Sequence, residues 1–321
     1  MPGVSFLARK RELAYILNKF KDFYYESDSY RFFPETYLIP EQMELYKKTH
    51  KVVNGIILQK HKERIYICKT NRGSQGTGIK MIFSPKDVLS SKGIQIDEPE
   101  KVVQRYVKKP LLIGGLKHDL RLYLLIANVD PLVAFLNEEG LARFCTDEYE
   151  EPTQDNKSKS KMVHLTNFSL NKSSPNFVHT DELTEINSGS KQTLSSYWKA
   201  LEKEGIDVAK VKKDIVRLNQ ELLKAMKPYL SYFQKCTFPR CEPGKYFHVI
   251  GVDIILDSQL RPWILEINAS PSLNVDSTIK ESKLSAEEKM TMISNNPFKY
   301  KLPEHRNKYV VSAVDLHVKT M

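Results

Sequence analysis

The sequence predicts a mixed α/β (α+β) fold, with strands toward both ends of the chain and helices between them. Two observations carry this prediction. Short apolar runs alternate with polar residues over 64–145 and 248–268, and a helical period runs over 191–226. The 321 residues, 41% hydrophobic and 27% charged, can bury a sizeable core. No internal repeat is visible, and no run of about 18 apolar residues predicts a membrane span.

The first part of the chain predicts one helix followed by strands. Residues 9–24 carry apolar side chains at helical spacing, and Pro34 and Pro40 then interrupt an extended passage. Residues 64–70 and 78–83 predict two strands joined by a turn rich in glycine, serine and asparagine.

Further strands and one exposed loop follow. Strands are predicted over 101–107 and 119–128, and residues 131–145 predict a hairpin that turns at 138–140. The stretch 150–161 is polar and charged and lacks large apolar residues, so we expect an exposed loop there.

Two amphipathic helices occupy the next part of the chain. The first covers 191–204, with Gly205 as its stop signal. The second carries an apolar stripe over 208–226, and Pro228 is expected to bend or end it. Both stripes are expected to face the core.

Two strands near residue 260 carry the first chemical signal. Strands over 248–257 and 261–268 predict a hairpin in which Asp253 lies about opposite Glu266, on the same face as Asn268. The other face would carry Trp263, Leu265 and Ile267. Two carboxylates this close repel unless a cation lies between them, and hard oxygen ligands suit Mg²⁺. The alternative is that both acids pair with lysine or arginine.

A second signal is the turn after Lys69. Glycines at 73, 76 and 78 would let backbone N–H groups approach an anion closely. The lysine precedes the glycines and a strand follows, so this is neither a P-loop nor a dinucleotide-binding turn.

Polar clusters on two later segments complete the set. Lys117, Asp119 and Arg121 alternate along one strand and share a face, opposite the leucines at 120, 122 and 124. Such charges either face solvent or hold a charged ligand. The segment 164–172 concentrates hydrogen-bonding groups in His164, Thr166 and Asn167.

The charge of the chain favours one class of partner. It has 49 lysines and arginines against 39 acidic residues, which favours an acidic partner such as nucleic acid, anionic lipid or an acidic protein tail.

The cysteines do not predict a metal site. The four cysteines contain no CxxC pair and are better explained as reduced thiols.

Several of these segments together resemble the tubulin-tyrosine-ligase-like family, which has the ATP-grasp fold and joins amino acids to protein carboxylates. The segments that carry the resemblance are ICKTNRGSQGTGI, QRYVKKPLLIGGLKHDLRLYLLI, EEGLARF, HLTNFSLNK and GVDIILDSQLRPWILEINASPSL. They occur in family order from about residue 5 to residue 276.

The resemblance implies a role for each of these residues. Those expected to hold ATP, under the glycine-rich flap, at the adenine hinge and along the nucleotide, are Lys69, Gln75, Gly76, Gln104, Arg105, Tyr106, Val107, Lys117, His118, Asp119, Thr166 and Asn167. Arg121 would contact the transferred phosphate and, with Glu266, is an expected catalytic residue. Mg²⁺ would be held by Asp253, Glu266 and Asn268. The incoming amino acid would contact Arg143, Phe168, Ser169 and Lys191.

The chemistry implied by the resemblance is ATP-dependent ligation. A substrate carboxylate attacks the γ-phosphate to give an acyl-phosphate, and the amine of a free amino acid then displaces phosphate. We expect glutamate to be added to glutamate side chains of the acidic C-terminal tubulin tails, which suits the +10 charge. Neither nucleic acid nor a membrane is the expected partner. The expected location is the cytoplasm and cytoskeleton, with a cilium, flagellum or basal body suggested by the family.

Two alternatives stay open. A glycine ligase would use the same mechanism, and a cationic pocket around Arg143 and Lys191 favours glutamate over glycine. Addition of tyrosine is less expected, because the resemblance is closer to the polymodifying members. An inactive nucleotide- or microtubule-binding module is the other alternative. An inactive relative would be expected to have lost at least one residue of the expected site. The chain retains all four of the following: Lys69, Asp253, Glu266 and Asn268.

The resemblance also suggests a domain organisation. The expected parts are a remnant of an N-terminal domain (1–50), a central ATP-grasp domain (51–108), a C-terminal ATP-grasp domain (109–276) and an extension (277–321). The N-terminal domain is expected to be shortened, because relatives carry further strands before this segment. Thr70 and Phe168 stand where the family usually has proline and frequently has tyrosine, and the second change bears on substrate preference.

Overall fold

A computed structural model of the chain describes residues 1–24, 31–58, 64–71, 73, 76, 78–89, 100–153, 161–171, 174–177, 189–240, 244–272 and 313–315. The helices are α1 (Val4–Leu7), α2 (Lys10–Phe23), α3 (Met43–Leu58), α4 (Pro85–Leu89), α5 (Lys161–His164), α6 (Phe168–Asn171), α7 (Leu194–Lys203) and α8 (Val208–Thr237). The strands are β1 (Thr36–Ile39), β2 (Tyr66–Thr70), β3 (Lys80–Ile82), β4 (Lys101–Arg105), β5 (Leu112–Ile113), β6 (Leu116–Val129), β7 (Leu132–Phe144), β8 (Lys191–Thr193), β9 (His248–Leu256), β10 (Pro262–Asn268) and β11 (Ala313–Asp315). This mixture of helices and antiparallel strands confirms the predicted α/β (α+β) class.

The strands form two antiparallel sheets. The smaller sheet has the order β1-β4-β2-β3, and the larger has the order β10-β9-β6-β7-β11, with β5 paired to β6 and β8 paired to β7. The larger sheet has one face against the main core, where α8 packs on β6, β7 and β10. Its other face carries the charged side chains described below.

Strand β6 shows why the two faces differ. Leu120, Leu122 and Leu124 point into the main core and are buried. The polar residues between them lie on the opposite face, because successive side chains of a strand alternate. The alternation predicted for this strand is therefore confirmed.

The amphipathic helices are capped by nearby polar side chains. Thr193 accepts a hydrogen bond from the backbone N–H of Ser196 at the start of α7, and Asp207 accepts one from Lys210 at the start of α8. The helix predicted from residue 191 begins only at Leu194, because the three preceding residues pair with β7.

One helix boundary differs from the prediction, and one helix was not predicted. Of the two outcomes predicted at Pro228, a bend or an end, the end is contradicted, because the second helix continues to Thr237. Burial of Met226 and Leu230, on either side of the proline, offsets the lost backbone hydrogen bond. Helix α3 was not predicted, since the segment before it had been interpreted only as an extended passage.

The predicted hairpin turn at 138–140 is also wrong. Strand β7 runs through these residues, and the turn that connects it to β6 lies at Asp130 and Pro131. The register with β6 shifts between Leu122 and Leu124, so that the extra residues of β7 are accommodated as a bulge. A bulge of this kind places polar and glycine residues inside a strand and gives the same local signal as a turn.

Within the described residues, no helix has the length and apolar character needed to cross a membrane. Residues 154–160 of the predicted exposed loop lie outside the described residues.

Candidate active site

A cleft between the two sheets collects most of the residues singled out in the sequence. It encloses about 620 Å³ of space, counting the part that is open to solvent. The predicted residues that line it are Lys69, Gln104, Arg105, Tyr106, Val107, Lys117, Asp119, Arg143, Thr166, Asn167, Asp253 and Glu266. They come from both sheets and from the loop before α6, so only the folded chain brings them together.

Some predicted residues lie elsewhere. His118 is on the core face of β6, between Phe144 and Tyr197, and does not reach the cleft. Lys191 is opposite Arg143 in the β7–β8 pair but does not line the cleft. The sequence predicted His118 as a nucleotide contact because it lies between two cleft residues, while strand alternation turns its side chain to the opposite face.

The remaining predicted residues adjoin the cleft or cannot be placed. Arg121 and Asn268 reach it through their hydrogen bonds to Asp253. Gly76 has a left-handed backbone conformation, and a Cβ atom there would meet Leu170. Gln75 and the side chains of Phe168 and Ser169 lie outside the described residues.

Lys69 crosses from the smaller sheet to the larger. Its Nζ atom donates to Oε1 of Gln104 at 2.8 Å and to the backbone oxygen of Leu265 on β10 at 3.2 Å. Burial lowers the pKa of Lys69 to about 8, although the charge of Glu266 acts in the opposite direction. An anion that entered the cleft would stabilise the protonated form of this amine.

Lys117 is a second buried amine at the other side of the cleft. Its Nζ atom donates to the Tyr106 hydroxyl at 2.9 Å and to the backbone oxygen of His164 at 2.6 Å. Burial lowers its pKa to about 8. Neither partner carries a formal negative charge, so this cation is also suited to an anionic ligand.

Four charged residues form a chain of ion pairs on the floor of the cleft. Asp253 accepts from Arg121, with Nη2 to Oδ2 at 2.9 Å, and its Oδ2 lies 3.0 Å from Nη2 of Arg143. Arg143 also donates from Nε to Asp119 at 2.8 Å. Burial alone would raise the pKa of Asp253, but the two guanidinium groups outweigh it and hold that pKa far below its ordinary value. The alternative that the sequence left open, an acid paired with arginine, is thus observed at Asp253.

Glu266 lies directly opposite Asp253 in the β9–β10 register, as the hairpin prediction required. The register shifts between Ile264 and Glu266, which turns Ile264 and Ile267 into the core and leaves Leu265 on the cleft wall. The prediction that Leu265 shares the apolar face is therefore wrong, because a bulge breaks the two-residue period.

Lys10, which the sequence analysis did not single out, meets Glu266. Its Nζ atom is 3.8 Å from Oε2 of Glu266 and donates to the backbone oxygen of Gly73 in the glycine-rich turn at 2.5 Å. A lysine in the first turn of α2 opposes the helix dipole, and that unfavourable position is the sequence signal that could have indicated an anionic partner.

The inner wall of the cleft is apolar. On one side Ile67, Ile79 and Leu165 pack together, and on the other are Ile255 and Leu265. Nearby, the backbone N–H of Tyr106 donates to the carbonyl oxygen of Ile65. The backbone N–H of Val107 has no hydrogen-bond partner among the described residues. The cleft therefore combines an apolar slot between these side chains, the backbone N–H group of Val107 and the buried cations Lys69 and Lys117.

The donor set of Asp253, Glu266 and Asn268 fits Mg²⁺ in its chemistry. Two carboxylates and one amide group lie on adjacent positions of one hairpin, and oxygen is the donor that Mg²⁺ prefers. Among the residues described, no three histidine, cysteine, aspartate or glutamate side chains form a group that could hold a metal. A magnesium ion here would consequently have to take its other ligands from water and substrate phosphates, as is usual for this ion.

The sequence also matches known proteins. A profile of the tubulin-tyrosine ligase family matches residues 1–293. A protein named probable beta-tubulin polyglutamylase from Tetrahymena thermophila is 38% identical over 283 residues, which cover 87% of this chain and 22% of that protein.

Two vertebrate relatives show the same degree of similarity. The human protein named tubulin polyglutamylase TTLL11 is 36% identical over 276 residues, covering 86% of this chain and 38% of its own length. The zebrafish (Danio rerio) protein named tubulin polyglutamylase ttll6 is 35% identical over 279 residues, covering 87% and 33%. The chain thus spans between about a fifth and two fifths of the length of these relatives.

Proposed function

The chain belongs to the tubulin-tyrosine ligase family, and from that premise we propose that it is an ATP- and Mg²⁺-dependent ligase that adds glutamate to glutamate side chains of tubulin C-terminal tails. The observation that carries the proposal is the cleft itself, where buried lysines, an apolar slot and two facing carboxylates meet. The three relatives described above, all named polyglutamylases, supply the substrate class.

ATP suits the cleft on both its chemical parts. The adenine ring would occupy the apolar slot between Ile67 and Leu265 and pair with the backbone N–H of Val107. The phosphates would meet Lys69 and Lys117, whose lowered pKa values would rise again beside an anion. Glycines at 73, 76 and 78 of the glycine-rich turn would let backbone N–H groups approach them closely.

The reaction requires charge to be neutralised at the phosphoryl group. ATP with Mg²⁺ would supply the γ-phosphoryl group, which the substrate carboxylate would accept with release of ADP; the amino group of glutamate would then displace inorganic phosphate from the acyl-phosphate. In this scheme Arg121 contacts the transferred phosphate, while Glu266 and Asp253, with Asn268, hold the metal. The guanidinium of Arg121 is already held by Asp253, so little reorganisation is needed as charge develops.

Glutamate is favoured over glycine by charge around the cleft. The cationic side chains that line or adjoin it outnumber the anionic ones, and the relatives are named for glutamate addition. Arg143 is paired with two aspartates, so it would offer the incoming carboxylate only part of its hydrogen-bonding capacity. Lys191, its cross-strand neighbour, is the additional cation proposed for this task.

The acidic tubulin tail is the proposed partner of the protein as a whole. The net charge of +10 favours an acidic polypeptide over a basic one and would accelerate encounter at low salt. The protein would then act in the cytoplasm at the microtubule cytoskeleton, including that of a cilium or basal body.

The test is incorporation of radiolabelled glutamate, and separately glycine, into purified microtubules with Mg-ATP. Glu266→Gln should abolish the label, and Glu44→Gln, which changes an exposed acid on α3, should not. In parallel, Mg-ATP should raise the melting temperature of the unmodified chain and not of Glu266→Gln.

The combination of results distinguishes a glutamate ligase from a glycine ligase and from a nucleotide-binding module. Label from glutamate that is lost in Glu266→Gln supports the proposal, and label from glycine alone replaces glutamate by glycine. A melting shift without label contradicts ligation and favours a nucleotide-binding module. Absence of both contradicts the nucleotide and metal assignments as well.

A further inference from the structure

The chain that follows the proposed metal-binding strand turns back across the sheet. Residues 269–272, which we call the crossing segment, pass from β10 over β9 to β6. The carbonyl oxygen of Ala269 is 2.6 Å from Nε2 of His248, and the Tyr123 hydroxyl donates to the carbonyl oxygen of Ser272 at 2.8 Å. The two hydrogen bonds fix the segment at both ends, on β9 and on β6.

Gly251 lies under the middle of the crossing segment. In register it is opposite Tyr123 on β6 and opposite Asn268 on β10. A Cβ atom at Gly251 would lie 2.9 Å from Cβ of Pro271, 3.0 Å from Cδ of Arg121 and 3.2 Å from its Nε. All three distances are shorter than ordinary van der Waals contact, which begins at 3.4 Å. The space above Gly251 is thus filled by Pro271 and by Arg121.

The glycine is required for space and not for backbone conformation. Its φ lies outside the left-handed region, so an alanine could adopt the same backbone without strain. Arg121, in contrast, depends on the space. Its side chain runs over Gly251 to reach Asp253, which is directly opposite it on β9.

We propose that Gly251 is a positioning residue for phosphoryl transfer, and that with the crossing segment anchored by Tyr123 it holds Arg121 against Asp253. The inference rests on the proposed function, because that function makes Arg121 the group that contacts the transferred phosphate. Pro271 and the Arg121 side chain both lie over Gly251, and Asp253 binds the guanidinium at its end. Neither Gly251 nor Tyr123 touches substrate in this scheme.

Gly251→Ala should lower kcat by about 100-fold, since a catalytic group displaced by a fraction of an ångström to 1 Å can lose that much. The KM values for glutamate and for ATP should stay near those of the unmodified chain, because Arg121 acts on the developing charge and not on ground-state binding. Tyr123→Phe, which removes the hydroxyl that holds Ser272 and keeps the ring, should lower kcat in the same direction but less. Tyr229→Phe, on α8 and away from the cleft, is the matched control and should leave kcat unchanged.

A second measurement does not need activity. The Nε–H of Arg121 donates to Asp253 in a largely buried site, and it should give a slowly exchanging side-chain signal in ¹⁵N NMR spectra. Loss of that signal in Arg121→Lys assigns it. Gly251→Ala should shift the signal and speed its exchange at least tenfold, while Tyr229→Phe should leave it in place.

The two measurements separate the failure of this inference from the failure of the proposed function. If the unmodified chain incorporates no glutamate, the proposed function fails, and the NMR signal alone judges the positioning of Arg121. An unchanged Arg121 signal in Gly251→Ala overturns the inference, whatever happens to kcat. A fall of kcat accompanied by equal changes in KM would also overturn it, because a general loss of structure would then explain the result.

Discussion

The buried imidazole of His118 should make the protein less stable in mild acid. The side chain is 2% exposed, its ring lies 4.9 Å from that of Phe144, and its Nε2 is 2.9 Å from the Tyr197 hydroxyl. Burial lowers the pKa of His118 to about 4, against about 6.5 in an unfolded chain. Between these values the unfolded state binds a proton that the folded state does not, so stability is present above pH 6.5 and is lost as the pH falls toward 4. Integrated from pH 7 to pH 5, this single group costs about 2 kcal/mol.

The His118→Phe variant tests that magnitude. Urea unfolding at pH 7 and pH 5, followed by circular dichroism, gives the loss of stability on acidification. We expect this loss to be about 2 kcal/mol smaller in His118→Phe than in the unmodified chain, because the group that takes up the proton is gone. The variant also leaves the Tyr197 hydroxyl without its partner, which costs about 1 kcal/mol at both pH values.

Tyr197→Phe is the matched control, since it removes the same hydrogen bond and keeps the imidazole. It should therefore show the full loss on acidification. Equal losses in His118→Phe and in the unmodified chain would refute the reasoning. Because His118 lies on the core face of β6, Mg-ATP should still raise the melting temperature of His118→Phe. Loss of that rise would support the role of His118 as a nucleotide contact that the resemblance implied.

Three further substitutions test contacts of the larger sheet and of the core beneath it. Asp257→Ala should lower the free energy of unfolding by about 2–3 kcal/mol, because the carboxylate accepts from two backbone N–H groups and the Trp263 indole; a loss below about 0.5 kcal/mol in urea unfolding would contradict this. Arg143→Met should cost about 3–5 kcal/mol by leaving Asp119 buried without its guanidinium partner, and the simultaneous Asp119→Leu change should recover much of it. Leu222→Ala, in the middle of α8, should cost about 2–5 kcal/mol through a cavity in the main core, and a melting temperature equal to that of the unmodified chain would refute its place there.

Local periodicity was enough to predict the elements that carry the chemistry. A two-residue period placed Asp253 opposite Glu266 and put Lys117 and Asp119 on one face, and both follow from strand geometry alone. The helical stripes of α2, α7 and α8 were found because a single apolar face is sufficient to define them. Apart from the pairing of β9 with β10, which their short connecting turn implies, these predictions needed no knowledge of which strands are neighbours.

Features that depend on tertiary contacts were not predictable in the same way. The bulge beside Leu265 breaks the alternation without any change in residue type, and α8 passes through Pro228 because its core contacts outweigh the local penalty. Lys10 is 256 residues from Glu266 in sequence, and only the packing of α2 beside the hairpin brings the two together. Long-range ion pairs of this kind leave almost no local signal.

The division of strand β6 into two faces has a consequence for how its positions tolerate change. Positions 117, 119, 121 and 123 lie on the face of β6 that is turned toward the cleft, while 118, 120, 122 and 124 lie on the core face, so neighbouring positions should accept different substitutions. In a saturation mutagenesis of this strand, one set should accept apolar exchanges and the other should reject them, with a period of two. Insertion or deletion of one residue in β6 would move the leucines into the cleft and the charged side chains into the core. The same change in a surface loop would not exchange buried and exposed side chains in this way. Length in β6 should therefore be under stronger purifying selection than the identity of any single residue in it.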